Sequence, residues 1–320
     1  MSNAPSRTRL PQPRVLIAIG ALLALLLAGG LYYLTIPSHA VSKPVKLSGL
    51  YWIYYREDLS RLEALNPSLI GQTLSGPGTY ALEHNNSGPP LPSGVTPVEL
   101  FFSYASEQAA IKSGSVIPGV GILADDPEYW PPTPVNEQQT PLTYMQDFSK
   151  AASGAGDQTV LIPGRDLMSV PGATCGQQKG ESIAQAYVRC SLPSVASGAK
   201  IFVLQTAEME TSLPALTQFV QQSAAAARAA NPHVIIIGTL STTPNNVTVG
   251  PGTINQAARA MLPYVQGFEV NTTAPTDSRF VTFLQDLSGS SSSSPSPSGS
   301  SSPPASGSSS PPPSGSSSSP

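Results

Sequence analysis

Three carboxylates fall within four residues in Asp125-Asp126-Pro127-Glu128, followed at once by Tyr129 and by Trp130, one of only two tryptophans. With 19 acids in 320 residues, such a concentration stands out. Paired acids beside a flat aromatic ring suit glycoside chemistry. One acid protonates the leaving oxygen, the other serves as base or nucleophile, and the ring stacks on a sugar. Asp126 and Glu128 form the pair, helped by Glu208 or Glu210 in the run Gln205-Thr206-Ala207-Glu208-Met209-Glu210. We therefore expect Asp126, Glu128 and Glu208 to be catalytic, and Trp130, Asp166, Gln205, Glu210 and Asn271 to bind substrate. The same residues admit a plainer reading, since Asp-Pro is a turn-forming pair and acids after a strand often cap the next helix.

Other chemistries are poorly supplied. His39, His84 and His233 are scattered, without metal-ligand spacing or the partners of a nucleophilic triad. No G-x-S-x-G elbow or P-loop occurs, and neither a metal nor a cofactor is expected. Gly119 to Ala124 matches G-x-G-x-x-A, but a dinucleotide fingerprint needs a strand before it and a helix within it. Pro118 precedes this stretch and the acids follow directly, so its glycines are expected on a strand. The run Tyr51-Trp52-Ile53-Tyr54-Tyr55 is either a carbohydrate platform or core filling. As a strand it sends Tyr51, Ile53 and Tyr55 to one face and Trp52 and Tyr54 to the other.

These residues need elements to position them. Strands are predicted at Gly49–Tyr55, Val98–Phe102, Gly119–Ala124, Thr159–Pro163, Lys200–Leu204, Val234–Gly238 and Gly267–Asn271. Several are apolar on both faces, as strands covered by helices must be. Helices are predicted from the Thr140 cap to about Ala152, from the Ser212 cap to about Ala230, from Thr253 over Ile254–Val265, and from the Asp277 cap to about Leu287. Seven strands and room for an eighth in 247 residues point to an α/β fold, a (β/α)8 TIM-barrel-like domain over residues 47–287, with an open doubly wound sheet as the alternative. In such barrels, sites gather where strands end.

The two ends of the chain differ from this middle. Arg7, Arg9 and Arg14, in a basic segment over 1–14, precede an uncharged apolar run over 15–36. At about 1.5 Å per residue that run spans the roughly 30 Å of a bilayer core, with the basic side cytoplasmic. The expectation is a single-pass cell-membrane protein whose C-terminal domain lies outside, joined by a linker over 37–46. The alternative is a secreted protein, cleaved near Ser38-His39-Ala40. In an oxidising compartment, Cys175 and Cys190 are expected to form a disulfide. Residues 288–320 comprise 20 Ser, 8 Pro, 4 Gly and one Ala, and are expected to be a disordered tail, either a spacer or the remnant of a link to a lost module. Residues 41–287, 247 in number, carry 13 basic and 19 acidic groups, which excludes the clustered positive charge of a nucleic-acid binder.

Three blocks carry a resemblance: DPEYWPPTPVNEQQTPLTYMQDFSKAA (Asp126 to Ala152), AAAARAANPHVIIIGTLSTTP (Ala224 to Pro244) and VQGFEVNT (Val265 to Thr272). Together they make roughly Val98 to Leu287 resemble a group of exported proteins of actinobacterial type with a glycosidase-like (β/α) barrel and no established activity. The resemblance implies that Asp126, Glu128, Trp130, Glu137, Gln138, Gln205 and Asn271 line the barrel mouth. Glu269 stands where such proteins tend to carry an aromatic residue. Asp126 and Glu128 also resemble the D-x-E ending of chitinase-type strand motifs. The expected function is glycoside hydrolysis of envelope or extracellular carbohydrate, the alternatives being a non-catalytic carbohydrate-binding protein or a structural cell-surface protein.

Overall fold

Short buried strands alternating with helices close on themselves in the computed structural model, which describes residues 43–84, 88 and 90–289. The basic segment, the apolar run, most of the linker and nearly all of the Ser/Pro tail expected from the sequence lie outside the described residues. Among the described residues, no helix is long and apolar enough to cross a membrane.

Eight parallel strands form a closed barrel in sequence order: β1 (Tyr51–Tyr55), β2 (Thr79–Glu83), β3 (Thr96–Phe101), β4 (Ile122–Asp125), β5 (Gln158–Leu161), β6 (Ile201–Leu204), β7 (Ile235–Ser241) and β8 (Gly267–Asn271). This is the TIM-like architecture, and the open sheet is set aside. Closure is made by β1 on β8, with Tyr51 paired to Gly267 and Ile53 to Glu269. A Cβ on Gly267 would run into the Tyr51 backbone, so the seam needs a glycine there.

The helices are α1 (Arg56–Leu65), α2 (Pro67–Leu74), α3 (Tyr104–Ser113), α4 (Val135–Gln139), α5 (Pro141–Ala155), α6 (Ile183–Arg189), α7 (Leu213–Ala230), α8 (Pro251–Met261) and α9 (Asp277–Ser288). The barrel interior is an apolar cluster that includes Ile53, Leu82, Val98, Ile122, Val160, Val203 and Ile237. Alternate residues face outward. Trp52, fully buried, meets Phe268 and Phe280 at ring-centroid distances of 5.8 and 6.4 Å, and the Tyr54 hydroxyl donates to Leu74 O at 2.9 Å. The YWIYY run therefore fills core and helix interface along most of its length.

Several expectations need correction. The strand β2 lacked a predicted counterpart, and all five of its residues are buried. Gly119 sits in a turn at φ 83° and Gly121 precedes β4, so neither glycine lies on the strand. The Thr140 and Ser212 side chains make no capping bond; Thr140 instead donates to Asn136 O at 2.8 Å. Proline at the first helical position still opens α5. The helix expected from Thr253 starts at Pro251 and ends at Met261, before Pro263. Asp277 is the first residue of α9 rather than its cap, and pairs with Arg61 at 2.9 Å.

The expected disulfide is present. Cys175 is joined to Cys190, the residue that ends α6, across a Cα–Cα distance of 5.7 Å. A closed loop of 15 residues contributes about 3 kcal/mol in the chain-entropy model. It fixes the long β5–α6 connection.

Candidate functional site

Side-chain alternation carries each strand from apolar to polar as it rises through the barrel. The inward series read Tyr51-Ile53-Tyr55 on β1, Ile122-Ala124-Asp126 along β4 and beyond, Ile201-Val203-Gln205 on and past β6, Ile235-Ile237-Thr239 on β7 and Gly267-Glu269-Asn271 on β8. The upper members converge on a cavity of about 210 Å³ at the C-terminal mouth, completed by Glu128, Arg165, Asp166, Ala207 and Glu208.

The β4 connection is held rigid before it reaches the cavity. Asp126 N–H extends the ladder to Phe101 O at 2.9 Å, and Gly164 N–H donates to Pro127 O at 2.9 Å. Glu128 N–H and Trp130 Nε1–H both donate to Thr133 Oγ1 at 3.2 Å, and that hydroxyl donates to Phe102 O at 2.8 Å. A side chain on Gly164 would strike Asp166 Oδ1 and crowd Glu128, so the two loops touch through a glycine.

Gln205 links the acids. Its Nε2 donates to Glu128 Oε1 at 2.7 Å and to Asp126 Oδ1 at 3.2 Å. Glu269, on the opposite side of the ring from β4, accepts from Thr239 Oγ1 at 2.8 Å. At the rim, Arg165 pairs with Glu208 at 2.6 Å and lies over the Phe219 ring at 5.7 Å. Asp166 Oδ2 accepts from Tyr129 N–H at 3.1 Å, while its Oδ1 is buried without a partner among the described residues.

Burial dominates the electrostatics. It pushes Asp126 well above the carboxylate range, reinforced by Glu128, Glu269, Asp125 and Asp166. Burial raises Glu128 as well, opposed by the Gln205 hydrogen bond. Glu269 is pushed up to about 7 by burial, against the Thr239 hydrogen bond, with Glu128 adding a smaller push. Tyr55, half-buried beside Asp126 and Glu269, is held in its neutral form. Arg165 is the only cation among the lining residues, and Glu208 already engages it. Asp126, Glu128 and Glu269 therefore cannot all be ionised near neutrality. The mouth offers a carboxylate and a bound proton together. Among the described residues, no group of His, Cys, Asp or Glu is arranged to hold a metal ion.

Of the residues singled out in the sequence, Asp126, Glu128, Asp166, Gln205, Glu208 and Asn271 meet at this cavity. Trp130 and Glu210 do not. Trp130 turns edge-on to Phe102, ring centroids 4.7 Å apart, and leaves its neighbour Tyr129 as the exposed aromatic of the loop, 48% accessible. Glu210 is buried and accepts from Ser241 N–H at 2.5 Å, tying the β6 connection to β7. Glu137 and Gln138, placed at the mouth by resemblance, are structural. Glu137 accepts from Tyr104 and Ala105 N–H at the start of α3, and Gln138 donates to Trp130 O and Thr133 O. Thr239 was not expected at the site, Tyr55 was weighed only within the YWIYY run, and Glu269 was noted at a strand end without a role. Period-two alternation from the apolar strand residues below would have indicated all three.

No protein-family model matches the chain, and no curated protein matches it. Solved structures similar to it include an endo-1,4-beta-mannanase from Eisenia fetida, 12% identical over 52% of this chain and 60% of the mannanase, with a TM-score of 0.31. Another is the carboxyl transferase domain of Rhizobium etli pyruvate carboxylase, 9% identical over 75% of this chain and 47% of that one, with a TM-score of 0.40. This chain spans less than two thirds of either protein. The fold rests on the strand order described above, and neither likeness carries weight for activity.

Proposed function

We propose that this domain is a glycoside hydrolase acting on envelope or extracellular carbohydrate, held at the cell membrane by the apolar run over 15–36. The observation that carries the reading is the set of three carboxyls, Asp126, Glu128 and Glu269, crowded into one open cavity whose lone cation, Arg165, is engaged by Glu208 at the rim. Glu128, steadied by Gln205, is the member that ionises most readily and acts at the anomeric carbon, as base to a water or as nucleophile. Glu269 titrates near 7, suits a general acid, and gives its proton to the leaving oxygen as the C–O bond breaks. One water is consumed: its hydroxyl ends on the anomeric carbon, and its one released proton replaces the proton Glu269 gave up. That proton is taken by Glu269 directly when Glu128 is the nucleophile, and passed on from Glu128 through solvent when Glu128 is the base. Asp126, raised well above its ordinary range by burial and by the surrounding carboxylates, stays protonated and keeps the charge of the cluster low. The proposed pair is thus Glu128 with Glu269, across the mouth, in place of the Asp126 and Glu128 pair expected from the sequence. The support for this assignment is burial and hydrogen bonding.

The test is release of reducing ends from a panel of polysaccharides by the full chain. Turnover of at least one glycan, slowed about 10²- to 10⁴-fold by Glu269→Gln, is expected. Saturable glycan binding with no release from any member would make the domain a binding module and overturn the hydrolase reading.

A further inference from the structure

Arg165 forms a wall of two cavities. On one side is the mouth. On the other is a trough of about 440 Å³, between α6 and α7, roughly twice the volume of the mouth. Gln185 and Gln222 also line a separate surface hollow that carries Lys179 and the Arg189–Glu181 ion pair and lies outside the trough. A chain leaving the acids over the Arg165–Glu208 pair would meet the trough along the outside of α7.

The trough wall has a consistent chemistry. Gln218 and Gln222, one turn apart on α7, present exposed amides with no hydrogen-bond partner among the described residues. Across from them, Gln185 commits only its Oε1, to the capping box that starts α6, and leaves its NH₂ free among the described residues. Ile183 and Met209 supply apolar surface between the amides. Arg165 is the only charged group in the wall, and Glu208 neutralises it. Neutral donors and acceptors alternating with apolar patches match a pyranose, which offers hydroxyl edges and C–H faces. They do not match a uronic acid, sulfate or phosphate, each of which calls for a free cation.

We infer that the trough is a binding site for successive units of an uncharged glycan chain whose reacting unit occupies the mouth. The inference rests on the hydrolase reading and specifies its substrate class. The trough orders the chain, and the mouth acts on it.

The test compares chain lengths. Wild type, the Gln218→Ala/Gln222→Ala double variant and Ala215→Trp, which fills the trough from the exposed face of α7, are assayed with 4-nitrophenyl monoglycosides. The same three are assayed with neutral β-1,4-linked gluco-, manno- and xylo-oligosaccharides of two to six units, and with oligogalacturonate. For wild type, kcat/KM is expected to rise with length on a neutral series, with oligogalacturonate a poor substrate. Both variants should lose about tenfold on the longest neutral chains, the scale of two neutral hydrogen bonds, and nothing on the monoglycosides. Hydrolysis with no length dependence, an equal loss on monoglycosides, or a preference for oligogalacturonate overturns the inference while the hydrolase reading stands. Length-dependent binding without turnover, weakened by both variants, overturns the hydrolase reading and keeps the trough. Neither binding nor turnover overturns both.

Discussion

The strand β4 divides two groups of buried carboxyls that differ in access rather than in burial. Inside the barrel, Asp126 faces the open mouth with Glu128 and Glu269. Asp125 next to it points the other way, into the helix layer, where its partner in charge is Glu107 of α3. Glu107 is wholly inaccessible, and neither of its oxygens, nor Asp125 Oδ1, has a hydrogen-bond partner among the described residues. Burial lifts both groups: Glu107 to about 9, reinforced by Asp125 and Asp157, and Asp125 well above its ordinary range, reinforced by Glu137. A displaced titration alone does not mark a functional site. The mouth differs in having a cavity, an amide that orients two of the acids, and an exposed aromatic beside it.

The sharpest way to break this contrast is to neutralise one acid from each group. Glu128→Gln should slow hydrolysis by about 10²- to 10⁴-fold, the range for losing a proton-transfer or nucleophilic carboxylate. Glu107→Gln should leave the rate near that of wild type. If both variants lose activity equally, the division at β4 has no functional meaning.

A smaller effect separates the two aromatics of the loop. Tyr129→Ala should raise KM for glycans several-fold, consistent with loss of a stacking contact worth about 0.5–1.5 kcal/mol, and leave thermal stability unchanged. Trp130→Ala should lower Tm, because its ring packs on Phe102 and its Nε1–H reaches Thr133. Reversed results would restore Trp130 as the platform.

The smallest effect concerns the sealed pair. Glu107 holds its proton in the folded protein up to about pH 9, while the unfolded chain releases it near 4.5. The native state therefore binds the extra proton between those values, and stability should fall as pH rises through that window. Glu107→Gln should flatten the decline and show a Tm a few degrees above wild type at pH 8, with little difference at pH 4. An identical pH dependence in both proteins would show that Glu107 is ionised in the fold.

How far the sequence revealed this arrangement depended on periodicity. Runs such as Ile201–Leu204 and Ile235–Ile237, apolar on both faces, marked a parallel sheet under helices. The strand β2 escaped because Thr79-Tyr80-Ala81-Leu82-Glu83 mixes helix-favouring Ala, Leu and Glu with only two β-formers. Asp126, Glu128 and Gln205 were legible because they follow strands directly. Glu269 was legible as a strand-end residue beside Asn271, but its role was not, because nothing in the sequence shows that it faces Asp126 and Glu128 across the mouth. Tyr129 and Trp130 could not be told apart, because they lie in an irregular loop with no repeat to say which side chain turns inward. Glu210 and Glu208 flank a single 3₁₀ turn, Ala207–Met209, that sends one to Ser241 and the other to the rim.

The assignment of the bound proton to Glu269 is tested most directly by kcat/KM against pH on a hydrolysed neutral oligosaccharide, for wild type and Glu269→Gln. The wild-type profile should fall above about pH 7, and the slower variant should lack that alkaline fall. An alkaline limb with the same midpoint in both proteins would contradict it.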